Sequence, residues 1–214
     1  VNAQCAAAVK MLIAAGANVN AVREINKQTP LRPAAEEGDD VVVELLLAVG
    51  ADASIADDKK CTPLQSAADH GWTEIVRMLC ANESGKRTLS ICDDNDETPL
   101  YCAAEQGHAA TVRVLLDAGS DIEFENRESG MTPLLAAAYE GHADAVKVLV
   151  AAGADLHRKD VDGDAALFLA IQSKHTEGRV ACVEALAAAG SQMDGGKRQK
   201  RVLGDAERWG GTKK

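Results

Sequence analysis

A Thr-Pro-Leu triplet recurs at Thr29, Thr62, Thr98 and Thr132, and a degraded copy, Ala165-Ala166-Leu167, follows it; the intervals are 33, 36, 34 and 33 residues. A period of this length means that one supersecondary unit, too small to bury its own apolar face, is repeated and stabilised by its neighbours. It rules out a single core assembled from distant pieces of chain. The composition agrees: 46% of residues are hydrophobic but only 3% are aromatic. The buried surface must therefore come from Ala, Val and Leu, which let helices approach closely, rather than from large rings.

The triplet itself has a mechanism. Thr caps a helix N-terminus through its hydroxyl, Pro at the first helical position has no amide proton to leave unpaired, and Leu begins the buried face. Five or six residues on stand Ala34-Ala35, Ala67-Ala68, Ala103-Ala104 and Ala137-Ala138, small enough for close packing between helices. Nine residues after each Thr comes Gly38, Gly71, Gly107 or Gly141, as a left-handed helix end and tight turn require. Second helices are predicted over 41–48, 74–81, 111–118 and 143–151, and Gly50, Gly119 and Gly153 close three of them. Helices this short are marginal alone and need stacking. The clearest copy is Met131 to Asp155.

The period, the triplet, Ala-Ala, Gly-His at Gly107-His108 and Gly141-His142, paired leucines and AGAD-like endings together resemble the ankyrin repeat family over about residues 1–190. The resemblance implies an all-α solenoid of stacked helix-turn-helix units with short β-turn fingers, used for protein recognition and not for catalysis. It divides the chain into a solenoid over 1–194, with a partial repeat at 1–22, repeats at about 23–55, 56–91, 92–125, 126–158 and 159–194, and a basic tail over 195–214. Several departures carry expectations of their own. The family's His three residues after Thr is replaced by Arg32, Gln65, Tyr101, Leu135 and Phe168, so its hydrogen bond at the repeat interface is expected to be absent. Pro33 is tolerable only within the first helical turn. The repeat that begins at Thr62 lacks its closing Gly and carries extra residues within Asn82–Thr88, which predicts a longer loop. The last repeat carries four extra residues within Gln172–Arg179, expected between its two helices. The first helix of the partial repeat is missing or incomplete, which leaves the apolar face around Val9, Leu12 and Ile13 to be covered by upstream chain, by a partner, or not at all.

The six cysteines show no CxxC spacing, and most lie in apolar helical runs, so buried, reduced thiols are expected, as in a cytoplasmic or nuclear protein. No apolar run approaches the length of a membrane span. The chain opens on Val1 and shows no signal peptide, as expected of an excerpt or a processed chain. No nucleophile elbow, phosphate loop, dinucleotide fingerprint or zinc spacing occurs, so no catalytic residue, cofactor or metal is expected. His108 and His142 fit a turn-stabilising role, and His70, His157 and His175 a surface one. The interval from Cys92 to Cys102 is better read as coincidence than as a redox pair.

Binding can be localised from the resemblance. Finger residues just before each Thr, and residues seven and eight places after it, line the concave face of such a repeat. Those places hold Glu36, Glu37, Asp58, Asp69, Asp94, Glu97, Glu105, Glu128, Glu140, Asp162 and Asp164, against Arg23, Lys59 and Lys159. The charge run is either an ordinary solvated face or an acidic groove that steers in a basic peptide or protein surface. His70, Met131 and Tyr139 are the less polar contact points within it. Seven basic residues in the tail, Lys197, Arg198, Lys200 and Arg201 among them, outweigh Asp205 and Glu207 to give +5; from a total of −10 this leaves −15 on the rest. Nucleic acid is therefore an unlikely ligand for the repeats. The tail fits a solvated segment, a nuclear-import or nucleic-acid patch, or an arm that docks through Lys197, Arg198, Lys200, Arg201 and Trp209. Two further readings of the chain remain open: a structural subunit docked through the incomplete repeat and the tail, and a targeting domain of a larger enzyme.

Overall fold

The computed structural model describes residues 3–190 of the 214 in the chain, which fall within two compact units, Val1–Asp121 and Ile122–Lys214. The first unit contains α1 (Ala3–Ala14), α2 (Leu31–Glu36), α3 (Asp40–Ala48), α4 (Pro63–Asp69), α5 (Thr73–Ala81), α6 (Glu83–Lys86), α7 (Pro99–Glu105) and α8 (Ala109–Asp117). The second contains α9 (Pro133–Glu140), α10 (Ala143–Ala151), α11 (Ala166–Gln172) and α12 (Thr176–Ala188). Within the first unit each opening helix packs on the helix that follows it, α2 on α3, α4 on α5 and α7 on α8; α4 also lies between α2 and α7, and α5 beside α3 and α8. In the second, α9 packs on α10 and α11, and α12 on α10 and α11. No strand occurs among the described residues, only an isolated antiparallel bridge between Lys159 and Ala165.

The core is made of the periodic residues. Leu31, Leu64 and Leu100 are fully buried, as are Ala35, Ala67 and Ala103 beside them and Val43, Val76 and Val112 from the second helices. In the second unit Ala137, Ala138, Val146 and Leu149 do the same work. Gly38, Gly71, Gly107 and Gly141 all have positive φ, between 72° and 79°, where a side chain is disfavoured.

Thr62, Thr98 and Thr132 cap as expected, their hydroxyls accepting from the amides of Gln65 (3.2 Å), Tyr101 (3.3 Å) and Leu135 (3.4 Å). Thr29 does not, and Pro33 is the reason. In the three regular repeats the amide four residues after Thr donates to the Thr carbonyl at 3.0 Å, from Ser66, Cys102 and Ala136. Proline has no such amide. Arg32 takes the vacant carbonyl instead, at 3.2 Å, helix α2 starts only at Leu31, and the buried Thr29 hydroxyl has no partner.

Both insertions became helix rather than loop. The residues after Asn82 form α6, a single turn whose N-terminus Asn82 caps by accepting from Ser84 and Gly85. In the last repeat the connection between helices keeps its standard length, since His175 follows Ala165 at the distance His142 follows Thr132. The four extra residues lie inside α12, which has 13 residues where α10 has nine. Four residues are close to one helical turn, so the buried face keeps its direction. Gly178 permits this: a Cβ there would stand 1.8 Å from the Gly141 carbonyl oxygen.

The expectation of buried thiols holds for Cys102 and Cys182 only; Cys5 is exposed and Cys61, Cys80 and Cys92 are half-buried, while all six are free. Short helices leave many apolar positions at the edge of cover. No helix is long and apolar enough to cross a membrane among the described residues.

Candidate interaction surface

The fingers are built by acids that the charge pattern alone does not separate from their neighbours. Asp57 accepts from the amides of Lys59 (3.0 Å) and Cys61 (2.9 Å), and Asp93 from those of Asn95 (2.9 Å) and Glu97 (3.1 Å). In the second unit Asn126 serves Glu128 and Ser129, and Asp160 serves Asp162 and Asp164. These side chains fold the turn over their own backbone. Adjacent fingers are then joined by single amide-to-carbonyl bonds, Asp58 to Asn26 (3.1 Å), Asp94 to Lys59 (3.0 Å) and Val161 to Ser129 (3.1 Å).

With the turns fixed in this way, the candidate contact residues sort themselves. Glu37, Asp58, His70 and Asp94 are exposed in the first unit, and Glu128 in the second. Glu36, Asp69, Glu97 and Glu105 are half-buried in the first, and Met131, Tyr139, Glu140 and Asp162 in the second. Asp164 is a correction: it is fully buried, where the pattern placed it on the surface. It sits within the last finger, its amide bound to Asp160 at 2.8 Å and its carbonyl accepting from the Asp160 amide at 3.1 Å, so it cannot meet a partner. The tail residues Lys197, Arg198, Lys200, Arg201 and Trp209 lie outside the described residues.

Part of the negative charge in the first unit is neutralised internally. Arg32 pairs with Glu36 and lies 3.3 Å from Asp57, while Lys60 reaches Asp94 at 2.9 Å. In the second unit His175 Nε2 lies 3.4 Å from Glu140, and the rings of His142 and His175 stack with centroids 6.5 Å apart. Acids also gather around Glu97. Burial, reinforced by repulsion from Glu105, Asp93 and Asp69, pushes its carboxyl up to about 7, against a lowering contact from the Cys102 thiol. Burial likewise pushes the thiols of Cys61, Cys80 and Cys182 up to about 11, which keeps them protonated and unreactive.

A family model of ankyrin repeats matches the chain in three copies, over residues 1–88, 33–126 and 119–196. The chain belongs to the ankyrin-repeat family. Ankyrin repeats are generally protein–protein interaction modules. No curated protein matches the chain significantly.

Some departures from the ankyrin pattern, at Arg32, Gln65 and Trp72, are met by substitutes. Gln65 stands where the ankyrin His would and donates to the Glu97 carbonyl of the next repeat at 3.0 Å, so the interface bond expected to be lost is remade. Arg32, in the same place one repeat earlier, reaches the next finger through Asp57. The ankyrin Gly-His pair also has a job that spans repeats. His108 Nε2 donates to the Asp69 carbonyl at 2.9 Å, and its ring lies so close over Gly71 that a Cβ there would stand 2.5 Å from Nδ1. Trp72 occupies the His position of the preceding ankyrin repeat and acts identically: Nε1 donates to the Glu36 carbonyl at 2.9 Å, and the ring lies 2.6 Å from where a Gly38 Cβ would be. Nothing in the charge pattern picks out Trp72. Its place ten residues after Thr62, matching His108 after Thr98, is the signal that does.

Proposed function

We propose that this chain is an ankyrin interaction module that recognises a basic peptide or protein surface through its fingers and the ends of its opening helices. The observation that carries this reading is the concentration of Asp69, Asp93, Glu97 and Glu105 in the first unit, close enough for their repulsion to help hold a proton on Glu97 near neutral pH. A cationic partner relieves that repulsion, and the stacked helices lose little entropy when it binds. Asp58 and Glu37 extend the acidic face in the first unit. Glu128, Glu140 and Asp162, with Tyr139 and Met131 between them, offer a similar face in the second. Glu36 and Asp94 contribute less, because Arg32 and Lys60 already balance them. Six free thiols suit a reducing setting such as the cytoplasm or nucleus.

The test is calorimetric titration with an arginine-rich peptide as probe, for the native chain and for the double variant Asp69→Lys, Glu105→Lys. The double variant should bind about tenfold or more weakly at low salt, and the slope of affinity against salt should flatten. Equal affinities and equal slopes would overturn the reading.

A further inference from the structure

Among the serines and threonines whose side chains are described, only Ser90 is exposed. The others are covered or engaged: Thr62, Thr98 and Thr132 cap helices, and the hydroxyls of Thr73 and Thr111 bond each other at 2.9 Å. Ser90 lies in the turn after α6, just beyond the insertion that sets this repeat apart. Lys86 and Arg87 stand four and three residues before it, and both are exposed.

The described residues hold two other pairs of adjacent cations, Lys59-Lys60 and Arg158-Lys159, and those are tied up. Lys60 reaches Asp94 at 2.9 Å and Arg158 pairs with Glu125. The one hydroxyl three residues beyond a member of either pair is that of Thr62, which is fully buried as a helix cap. Arg87 instead donates from Nε to the Glu83 carbonyl at 3.1 Å, a neutral partner, while Asp52 feels its charge at longer range. An available basic pair thus precedes an exposed hydroxyl at this place alone among the described residues.

We propose that Ser90 is a phosphorylation site, the substrate of a serine kinase that selects arginine three residues before the acceptor. Kinases discriminate by such charge patterns. In the transfer Ser90 Oγ attacks the γ-phosphorus of Mg-ATP and the bond from that phosphorus to the β–γ bridging oxygen breaks. ADP leaves, and the hydroxyl proton passes to the kinase's catalytic Asp. The segment is lightly held, so a kinase cleft can take it. Helix α6 is a single turn that packs on α5, and the turn after it rests on the Thr88 amide bound to the Gly85 carbonyl (2.9 Å) and the Ile91 amide bound to the Thr88 carbonyl (3.1 Å). Opening such a piece costs far less than unfolding the repeat. Once attached, a phosphate charge of about −2 competes with the Glu83 carbonyl for Arg87 and loosens the end of α6. The site rests on neither the acidic finger face nor its partner.

The test incubates the whole chain with Mg-ATP and the catalytic subunit of cyclic-AMP-dependent protein kinase, an arginine-selecting enzyme, and locates phosphate by mass spectrometry of fragments. The expected result is one phosphate on Ser90, none on Thr88 or Thr62, and no phosphate in this segment for Ser90→Ala. Arg87→Ala should slow the transfer about tenfold, the worth of one lost charge-assisted contact, with Arg87→Lys in between. A purely structural role for Arg87 has the opposite sign, because loosening α6 frees the segment and speeds transfer. No phosphate on Ser90, whether or not a free peptide of residues 85–94 is modified, would overturn the proposal, as would an Arg87→Ala chain modified as fast as the native one or faster.

Discussion

Replacing Gly71 by alanine adds one methyl group, and two separate penalties follow from where it lands. Gly71 has φ +72°, so any side chain pays the left-handed cost of about 1–2 kcal/mol, partly offset by the lower entropy of the unfolded alanine chain. The second penalty is steric. The new Cβ would stand 2.5–2.7 Å from three atoms of the His108 ring, about 1 Å inside ordinary contact. The ring must withdraw, which gives up its 2.9 Å bond to the Asp69 carbonyl, about 1 kcal/mol, and adds overpacking strain of about 1 kcal/mol or more. Gly50 is the natural control: its φ is +87°, yet a Cβ there meets nothing within 4 Å. Gly50→Ala should therefore destabilise by about 1 kcal/mol and Gly71→Ala by about 2–4 kcal/mol, measured by urea unfolding followed by circular dichroism. The double variant Gly71→Ala, His108→Ala should be more stable than the sum of its parts predicts, because the clash goes with the ring. Equal losses for Gly71→Ala and Gly50→Ala would refute the idea that the glycine is required by the ring of the next repeat.

Two further outcomes test other parts of the fold. Because the Glu97 carboxyl is raised from 4.5 to about 7 in the folded chain, the native state holds a proton that the unfolded state has lost between those values. Its contribution to stability is present below pH 4.5 and lost as pH rises through 7. For a half-exposed group screened by solvent, the loss amounts to about 1–2 kcal/mol, and Glu97→Gln should remove it from the unfolding curves measured at pH 5 and pH 8; parallel pH profiles for the two chains would contradict the burial of that carboxyl. Gly178→Ala should destabilise by about 1–3 kcal/mol even though Ala is normally the better helix residue by about 1 kcal/mol, since the added Cβ would collide with the Gly141 carbonyl. A rise in melting temperature would mean that α12 does not approach that turn.

What the sequence makes legible is chemistry that a residue performs on its own neighbourhood. A Thr that caps, a Pro that needs no amide and a Gly that must turn left-handed all act within four residues of themselves, so the helices, the turns and the core alanines follow from spacing. Where the same chemistry is blocked locally the failure is legible too, as with Pro33 and the idle Thr29 hydroxyl. Less legible is whatever one repeat does to the next. Asp57 and Asp58 are the same residue type side by side, yet one is folded into the finger and the other exposed, and only the path of the turn decides which. Asp164 falls on the buried side of the same distinction. The insertions misled for a different reason: extra residues suggest a loop, but a helical turn satisfies its own backbone bonds, so extending or adding helix leaves fewer groups unpaired.

The inter-repeat bonds also restrict how such a face recognises anything. In the first unit the carbonyls of Glu36, Asp69 and Glu97 are taken by Trp72, His108 and Gln65, and those of Asn26 and Lys59 by the next finger's amide. The backbone along this face is thus spent on holding the repeats together. Side chains are left to do the recognising, and among them Asp57 and Asp93 are committed to their turns and Arg32 and Lys60 to Glu36 and Asp94. A partner that brings only hydrogen-bond donors would compete with water for exposed carboxylates and gain little, whereas a Lys or Arg gains the whole local field. That is the physical basis on which the proposed basic partner would be selected over a neutral one.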